Sequence, residues 1–406
     1  MTKDTLPMTR VEFIALCAML FATIAFSIDA MLPALPTIAE ELSQGRHNTE
    51  TLIVMSFVLG MGIGTFFTGP LSDRFGRKPV LISGAALYIL CAFIGYKSQT
   101  LEWLLAARLF QGVGAAGPRV VTMAIVRDLF SGRDMARIMS FVMLVFILVP
   151  AAAPLLGQMI IDFSSWRGIF VAFIVFALLS VLWLGIRLPE PLPVENRRPF
   201  SLPKLMAGLR EMWGIPAART SILVQSLIMG SLFGLIGSVQ LVYDQTYDRA
   251  AEFPHWFAGI ALASGTASIL NAKLVMKLGM RFLVNVAVAG KVLCAVGMLL
   301  FLAITDGQTQ FYAFAFWQFT VFFSIGLTIG NLNALAMEPL GHMAGTAASV
   351  MGALATIFGV ILAAPIGLAF DGTPLPLVLS IGILALVGFF LMLHMRRIEA
   401  RSTVTA

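Results

Sequence analysis

Four side chains stand where an apolar chain can least carry charge: Asp29, Arg108, Arg119 and Lys291. An ionisable group inside a long apolar run is costly and by default marks a path for ions or substrate. Asp29 lies in a charge-free stretch, residues 13–39, about two-thirds of the way toward its far end. Loss of water favours the proton-bearing form of a carboxylate, which suits a group that takes up a proton and releases it when a cation or a substrate arrives. A structural acid paired with a neighbouring helix or with the Pro33/Pro36 break is the other reading. Arg108 cannot give up its proton, so it must be paired or wet. Its depth should match that of Asp29, and its partners are to be sought in Asp29, backbone carbonyls or a substrate. Arg119 follows a Gly117-Pro118 break, eleven residues after Arg108; at about 100° per residue it returns to within roughly 20° of the same helix face, about 16 Å deeper. Gln111 lies between them. Arg119 either lengthens a positive pathway for anionic or zwitterionic substrates or snorkels toward the surface near Arg127. Lys291, near the middle of its run, is expected to be a buried lysine, neutral or paired with a group of helix 10 or helix 12, rather than a substrate contact.

The elements that must position these groups are membrane helices. The 406 residues are 59% apolar and 12% charged, outside the range of soluble globular chains. Twelve apolar runs recur, at about 11–34, 51–70, 79–96, 101–123, 138–161, 168–186, 219–242, 256–278, 282–304, 309–336, 344–369 and 375–395. They are continuous rather than alternating, which argues for a polytopic all-α membrane protein and against a β-barrel. Of the 27 Lys and Arg, 20 fall on the side shared by both termini, 4 (Arg46, Lys97, Arg167, Arg249) on the other and 3 inside the runs. That bias predicts cytoplasmic termini. Nothing resembles a basic, aromatic-studded nucleic-acid face. Cys17, Cys91 and Cys294 all sit in apolar runs and read as small core residues. The first run is too long for a signal h-region and has no small-residue cleavage site, so it is kept as helix 1. Trp166-Arg167 reads as an interface anchor at the outer end of helix 6.

Between the second and third runs lies a charged knot, Gly69-Pro70-Leu71-Ser72-Asp73-Arg74-Phe75-Gly76-Arg77-Lys78-Pro79. It reads as a tight turn in which glycine and proline break the helices. Asp73 is expected to accept from a nearby helix N-terminus and to pair with Arg127 or Arg133, closing a conformational latch with Gly69, Arg74, Gly76 and Arg77. The longest polar interruption, 187–218, carries Pro189, Pro191, Pro193, Pro199, Pro203 and Pro216 and reads as a cytoplasmic linker. It separates an N-terminal six-helix half, 1–186, from a C-terminal one, 219–406. In the turn between helices 8 and 9, Lys277, Gly279 and Arg281 echo Arg74, Gly76 and Arg77, while Met276 stands where Asp73 would. Two such pseudo-repeats suggest a transporter that rocks one half against the other.

The residues also carry a resemblance. The stretch 69–81 resembles the 2–3 loop signature of the major facilitator superfamily, G-x-L-x-D-R-x-G-R-K, and the run beginning Arg108-Leu109-Phe110-Gln111-Gly112 resembles its helix-4 signature. Ala153-Pro154-Leu155-Leu156-Gly157-Gln158 is similar to the helix-5 element of drug:proton antiporters, G-P-x-x-G-G, with Ala153 and Gln158 in place of glycines; Pro150 precedes it. Ser27-Ile28-Asp29-Ala30-Met31-Leu32-Pro33-Ala34-Leu35-Pro36, Arg137-Ile138-Met139-Ser140-Phe141-Val142-Met143-Leu144 and His342-Met343-Ala344-Gly345-Thr346-Ala347 are similar to the bicyclomycin/chloramphenicol (Bcr/CflA) exporters. The resemblance implies the superfamily's twelve-helix fold, an Arg108 that lines the central cavity and is tied to proton coupling, and helix 9, with Lys291, at the periphery.

The expected activity is export of small organic molecules or drugs in exchange for protons, by alternating access across a bacterial inner membrane. One inward proton gains about 2.3 kcal/mol per 100 mV. The alternative is a dedicated exporter or importer of one anionic or zwitterionic metabolite such as a siderophore. Asp29, Arg108, Gln111, Arg119, Gln225, Tyr243, Asn331 and Asn333 are the cavity candidates, with Gln240 and Gln318 behind them. No cofactor or metal is expected; the partners are substrate, protons and lipid, and the chain is expected to be a monomer. An enzyme is disfavoured: His47, His255, His342 and His394 are scattered, and no H-E-x-x-H, serine elbow, paired carboxylates or G-x-x-x-x-G-K-[ST] loop occurs.

Overall fold

The computed structural model describes residues 7–404 except 44, 46 and 47, so Arg46 and His47 lie outside the described residues, as do the side chains of His342, Ala344 and Thr346. Among the described residues there is no strand, and twelve helices are long and apolar enough to cross a membrane. The protein is a multi-pass, all-α membrane protein. It divides into two compact units between residues 204 and 205.

The first unit holds α1 (Arg10–Asp29), α2 (Thr51–Phe75), α3 (Arg77–Lys97), α4 (Leu101–Leu129), α5 (Gly132–Phe163) and α6 (Trp166–Arg187). The Thr9 hydroxyl caps α1 by accepting from the Glu12 amide at 3.2 Å. α1 ends at Asp29 for a reason written four residues ahead. Pro33 has no N–H to give the Asp29 carbonyl, and Pro36 withholds one from Leu32 in the same way. The chain goes on as a 3₁₀ turn, Leu32–Ala34, and a short helix, Leu35–Leu42.

Other prolines do not have that effect. Pro70, Pro118, Pro150 and Pro154 all lie inside continuous helices. Two expectations are corrected here. The knot does not break at Gly69-Pro70, because α2 runs through it to Phe75 and the turn is Gly76 alone, at φ 104°. Nor is there a break before Arg119. Each proline costs one hydrogen bond, which the packing of these helices offsets, even where Pro150 and Pro154 stand four residues apart in α5.

α4 is the axis of this unit, packed against α1, α2 and α3, while α1 lies along α5 and α3 along α6. The α2–α4 seam is backbone on backbone: a Cβ at Gly112 would come within 1.9 Å of the Phe57 carbonyl oxygen. α1 and α5 meet the same way, a Cβ at Gly157 falling 2.1 Å from the Ala30 oxygen. At the end bearing Gly76, Phe13, Phe21, Val121, Ile125, Phe130 and Leu184 close an apolar core. Trp166, expected as an interface anchor, is instead buried and donates its indole N–H to Glu41 at 2.6 Å.

The second unit holds α7 (Pro216–Leu241), α8 (Phe253–Leu278), α9 (Met280–Ile304), α10 (Gly307–Met337), α11 (Ala344–Leu368) and α12 (Leu375–Val404). Its pairings repeat those of the first, six helices on: α7 with α11, α8 with α10, α9 with α12. Gly279, at φ 81°, joins α8 to α9 as Gly76 joins α2 to α3, and Met276, in the place of Asp73, is 89% exposed. The segment 187–218 is more ordered than its prolines suggest. It contains a 3₁₀ turn, Val194–Asn196, and a helix, Leu202–Gly214. Its first part is bound to the α2–α3 turn, as described below.

Candidate functional site

Arg108 is fully buried in α4, and its guanidinium is engaged on every edge. Nη2 donates to the Ser27 carbonyl at 2.9 Å, Nη1 to Gln111 Oε1 at 2.8 Å and Nε to the Ile53 carbonyl at 3.5 Å. The face lies over the Phe57 ring at 4.3 Å. Delocalised, weakly hydrated and planar, an arginine fits such a dry setting where a lysine would not. Ser27 is held in turn: its hydroxyl bonds the Thr23 carbonyl and lies 2.6 Å from the Tyr88 hydroxyl of α3. Arg108 thereby fastens α4 to α1 and α2, and Tyr88 fastens α3 to the same point.

No carboxylate takes part. Asp29, 4% exposed, carries no hydrogen bond or ion pair on its carboxylate among the described residues. The pairing of Asp29 with Arg108 considered from their matching depth is not formed. The two residues from Ser27 to Asp29 turn α1 by about 200°, so the acid leaves the helix on the side away from the residue whose carbonyl Arg108 holds. Asp29 instead sits at the end of α1, beside the Ala30–Gly157 contact with α5. The two departures from the helix-5 element are accommodated. Ala153 is buried, Gln158 bonds Asp162 at 2.8 Å, and the close approach needs only Gly157. Pro154 is buried beside it and Pro150 half-buried one turn earlier.

Arg119, on the same face of α4, is exposed and has no hydrogen bond or ion pair among the described residues. Lys291 in α9 is buried and likewise has none.

The charged turn is a second constellation. Arg77 is 3% exposed; it donates through Nε to Asp128 at 2.8 Å and through Nη1 to Ser72 at 2.7 Å and to Asp73. The expected pairing of Asp73 with Arg127 or Arg133 is therefore corrected: Asp73 is taken by Arg77, one turn on, and the partner from the 4–5 side is Asp128. The acid at a helix N-terminus is not Asp73 but Glu190. Its carboxylate accepts from the backbone N–H of Arg77 at 2.8 Å and of Lys78 at 2.9 Å, the first amides of α3. Arg198 N–H adds a bond to the Asp73 carbonyl at 3.0 Å. Gly69 is half-buried and Arg74 exposed, its guanidinium over Phe75 at 4.9 Å.

Residues 15–364 match the family model of the Major Facilitator Superfamily. The chain belongs to that superfamily. It is 29% identical over 363 residues to the "Bicyclomycin resistance protein homolog" of Haemophilus influenzae, covering 88% of this chain and 89% of that one. It is 35% identical over 176 residues to the "Chloramphenicol resistance protein CraA" of Acinetobacter baumannii, over 43% of this chain and 42% of the relative. Among solved structures, the D-xylose-proton symporter superposes with a TM-score of 0.75 at 13% identity, covering 95% of this chain and 97% of that one, a likeness of fold.

In the second unit of this superfamily member the polar candidates do not form one cluster. Tyr243 is fully buried, donates to Gln318 Oε1 at 3.0 Å, and stands among the rings of Phe253, Phe311 and Phe314. Asn331 bonds Asn271 of α8 at 2.7 Å, and Asn333, two residues on, is half-buried. Gln225 and Gln240 are buried in α7, each with its Oε1 unpartnered. The residues missed by sequence reasoning are Ser27, Tyr88, Asp128 and Glu190. Glu190 carried a signal, an acid at the entrance to a proline-rich segment, and Ser27 stood at the head of the stretch around Asp29 without a role of its own.

Proposed function

We propose that this chain is a secondary transporter that exports small organic molecules in exchange for protons, with Asp29 as the proton-carrying group. The observation that carries the proposal is Asp29 itself: a buried carboxylate without a counter-ion among the described residues, at a proline-made helix end in a membrane-spanning segment. A carboxylate held there without a cation is a proton carrier by its chemistry. The family and the resistance named in its relatives, to bicyclomycin and chloramphenicol, support export of drug-like compounds. Arg108 holds the α1 segment next to the acid through the Ser27 carbonyl. Protonation of Asp29 then changes the charge at the junction of α1 and α5, and Arg108 keeps α1 and α4 moving as one body.

The Arg77 constellation acts as the latch: it ties α2, α3, the end of α4 and the segment after α6, and its opening accompanies the change of access. The positive bias of the loops supports placing this turn, and both termini, on the cytoplasmic face of the inner membrane. The working unit is a monomer.

The test is efflux from cells expressing the protein, with a panel of neutral, cationic and anionic compounds. Accumulation is expected to fall for several of them, and both an uncoupler and Asp29→Asn to abolish the effect. Accumulation that rises instead, or efflux indifferent to uncoupler and substitution, refutes the proposal.

A further inference from the structure

The face of α4 that carries Arg108 changes character further along. At Arg108 it is sealed by Ser27, Ile53 and Phe57; at Arg119 it is open, and the guanidinium has no partner among the described residues. Of the exposed large apolar residues of α4, Trp103 and Phe110 lie about 160–180° round the helix from Arg119, counted at about 100° per residue, and Met123 about 40° from it. The end of α4 at Leu129 is ten residues on, about 15 Å along the axis, beyond the reach of the side chain. Among the described residues, five acids at that end of the unit are already engaged. Glu12 is bound by Arg187, Asp73 and Asp128 by Arg77, Asp134 by Arg10, and Glu190 by two backbone amides. Three residues beyond Arg119, the hydroxyl of Thr122 is buried and also without a partner. A planar five-donor fork kept free at membrane depth, with an uncommitted hydroxyl one turn away, matches the needs of an oxyanion.

We infer that Arg119 recognises an anionic group of the transported molecule, and that the substrates of this protein are organic anions or zwitterions bearing a carboxylate, sulfonate or phosphate. The inference rests on the transport reading above and adds the substrate class to it. It carries an energetic consequence. An anion leaving in exchange for one entering proton moves two charges with the membrane potential instead of one, so 100 mV sustains a gradient of about 2,000-fold rather than about 50-fold.

The experiment uses the purified full chain in lipid nanodiscs at pH 7.5, without any proton gradient. Three near-isosteric probes differ in charge: 1-naphthoate, 1-naphthamide and 1-naphthylmethylammonium. Binding is read by quenching of tryptophan fluorescence. The wild type is expected to bind naphthoate at least about tenfold more tightly than naphthamide, the worth of one charge-assisted hydrogen bond. Arg119→Gln removes that preference and leaves naphthamide binding and the melting temperature unchanged; Arg119→Lys, which keeps the charge but not the fork, restores part of it. Equal binding of the three probes by the wild type, binding of none, or a preference that survives Arg119→Gln overturns the inference. Because no proton gradient is present, a failure of proton coupling leaves this result standing and is detected separately by the efflux test.

Discussion

Gly157→Ala puts the α1–α5 junction to a quantitative test. The methyl carbon would lie 2.1 Å from the Ala30 oxygen and 2.9 Å from its carbonyl carbon, both backbone atoms with no rotamer to escape into. A carbon and a carbonyl oxygen settle at about 3.3 Å, so the two helices must part by about 1.2 Å at this point. Overpacking of that kind costs about 1–3 kcal/mol, a fall in melting temperature of about 2–12 °C for a unit of this size. Ala30 follows Asp29, so the displacement reaches the acid directly, and a misplacement of about 1 Å in a working group lowers its rate by up to a hundredfold. The assay is uncoupler-sensitive efflux in inverted vesicles, normalised to protein, with thermal melting of the detergent-purified protein beside it. Gly297→Ala in α9 is the control, because nothing lies within 4 Å of its new methyl group; there the gain in helix propensity, about 1 kcal/mol, should leave melting equal or higher and efflux unchanged. Gly157→Ala with unaltered efflux and melting would refute the close approach and the role given to it.

Two further substitutions follow from the same geometry. Arg108→Lys keeps the charge but cannot serve Ser27, Ile53 and Gln111 together, so efflux should fall at least about tenfold while the protein still folds; wild-type efflux would show that the fork is dispensable. Glu190→Gln removes the negative charge from the first turn of α3 and should lower stability by about 1 kcal/mol, read as a lower melting temperature, with no change expected if the carboxylate is idle.

Most of the architecture was legible because the bilayer writes it into the sequence. Each span is a continuous apolar run, and the Gly76 and Gly279 turns are marked by charge and glycine. The six-helix repeat is visible in those turns and reappears in the helix pairings. The misreadings share a physical cause. Depth along a helix can be counted, but azimuth and neighbours cannot. Asp29 and Arg108 match in height yet leave their helices in different directions, so the arginine took a backbone carbonyl instead. Glu190 lies 113 positions from Arg77, and no local pattern announces that contact. Prolines 70 and 118 were expected to break their helices, but packing on several sides holds those helices through the loss of one bond each, and holds α5 through the loss of two at Pro150 and Pro154.

The central claim is that protons cross by way of Asp29. Proteoliposomes carrying the purified protein, with a pH-sensitive dye inside, test it most directly: a compound found in the efflux panel is added, and the substrate-evoked proton flux is recorded along with exchange of labelled substrate. Asp29→Asn should abolish the proton flux and leave substrate exchange running, since the site persists without its proton carrier. Substrate-evoked proton flux that continues undiminished in Asp29→Asn would contradict the account.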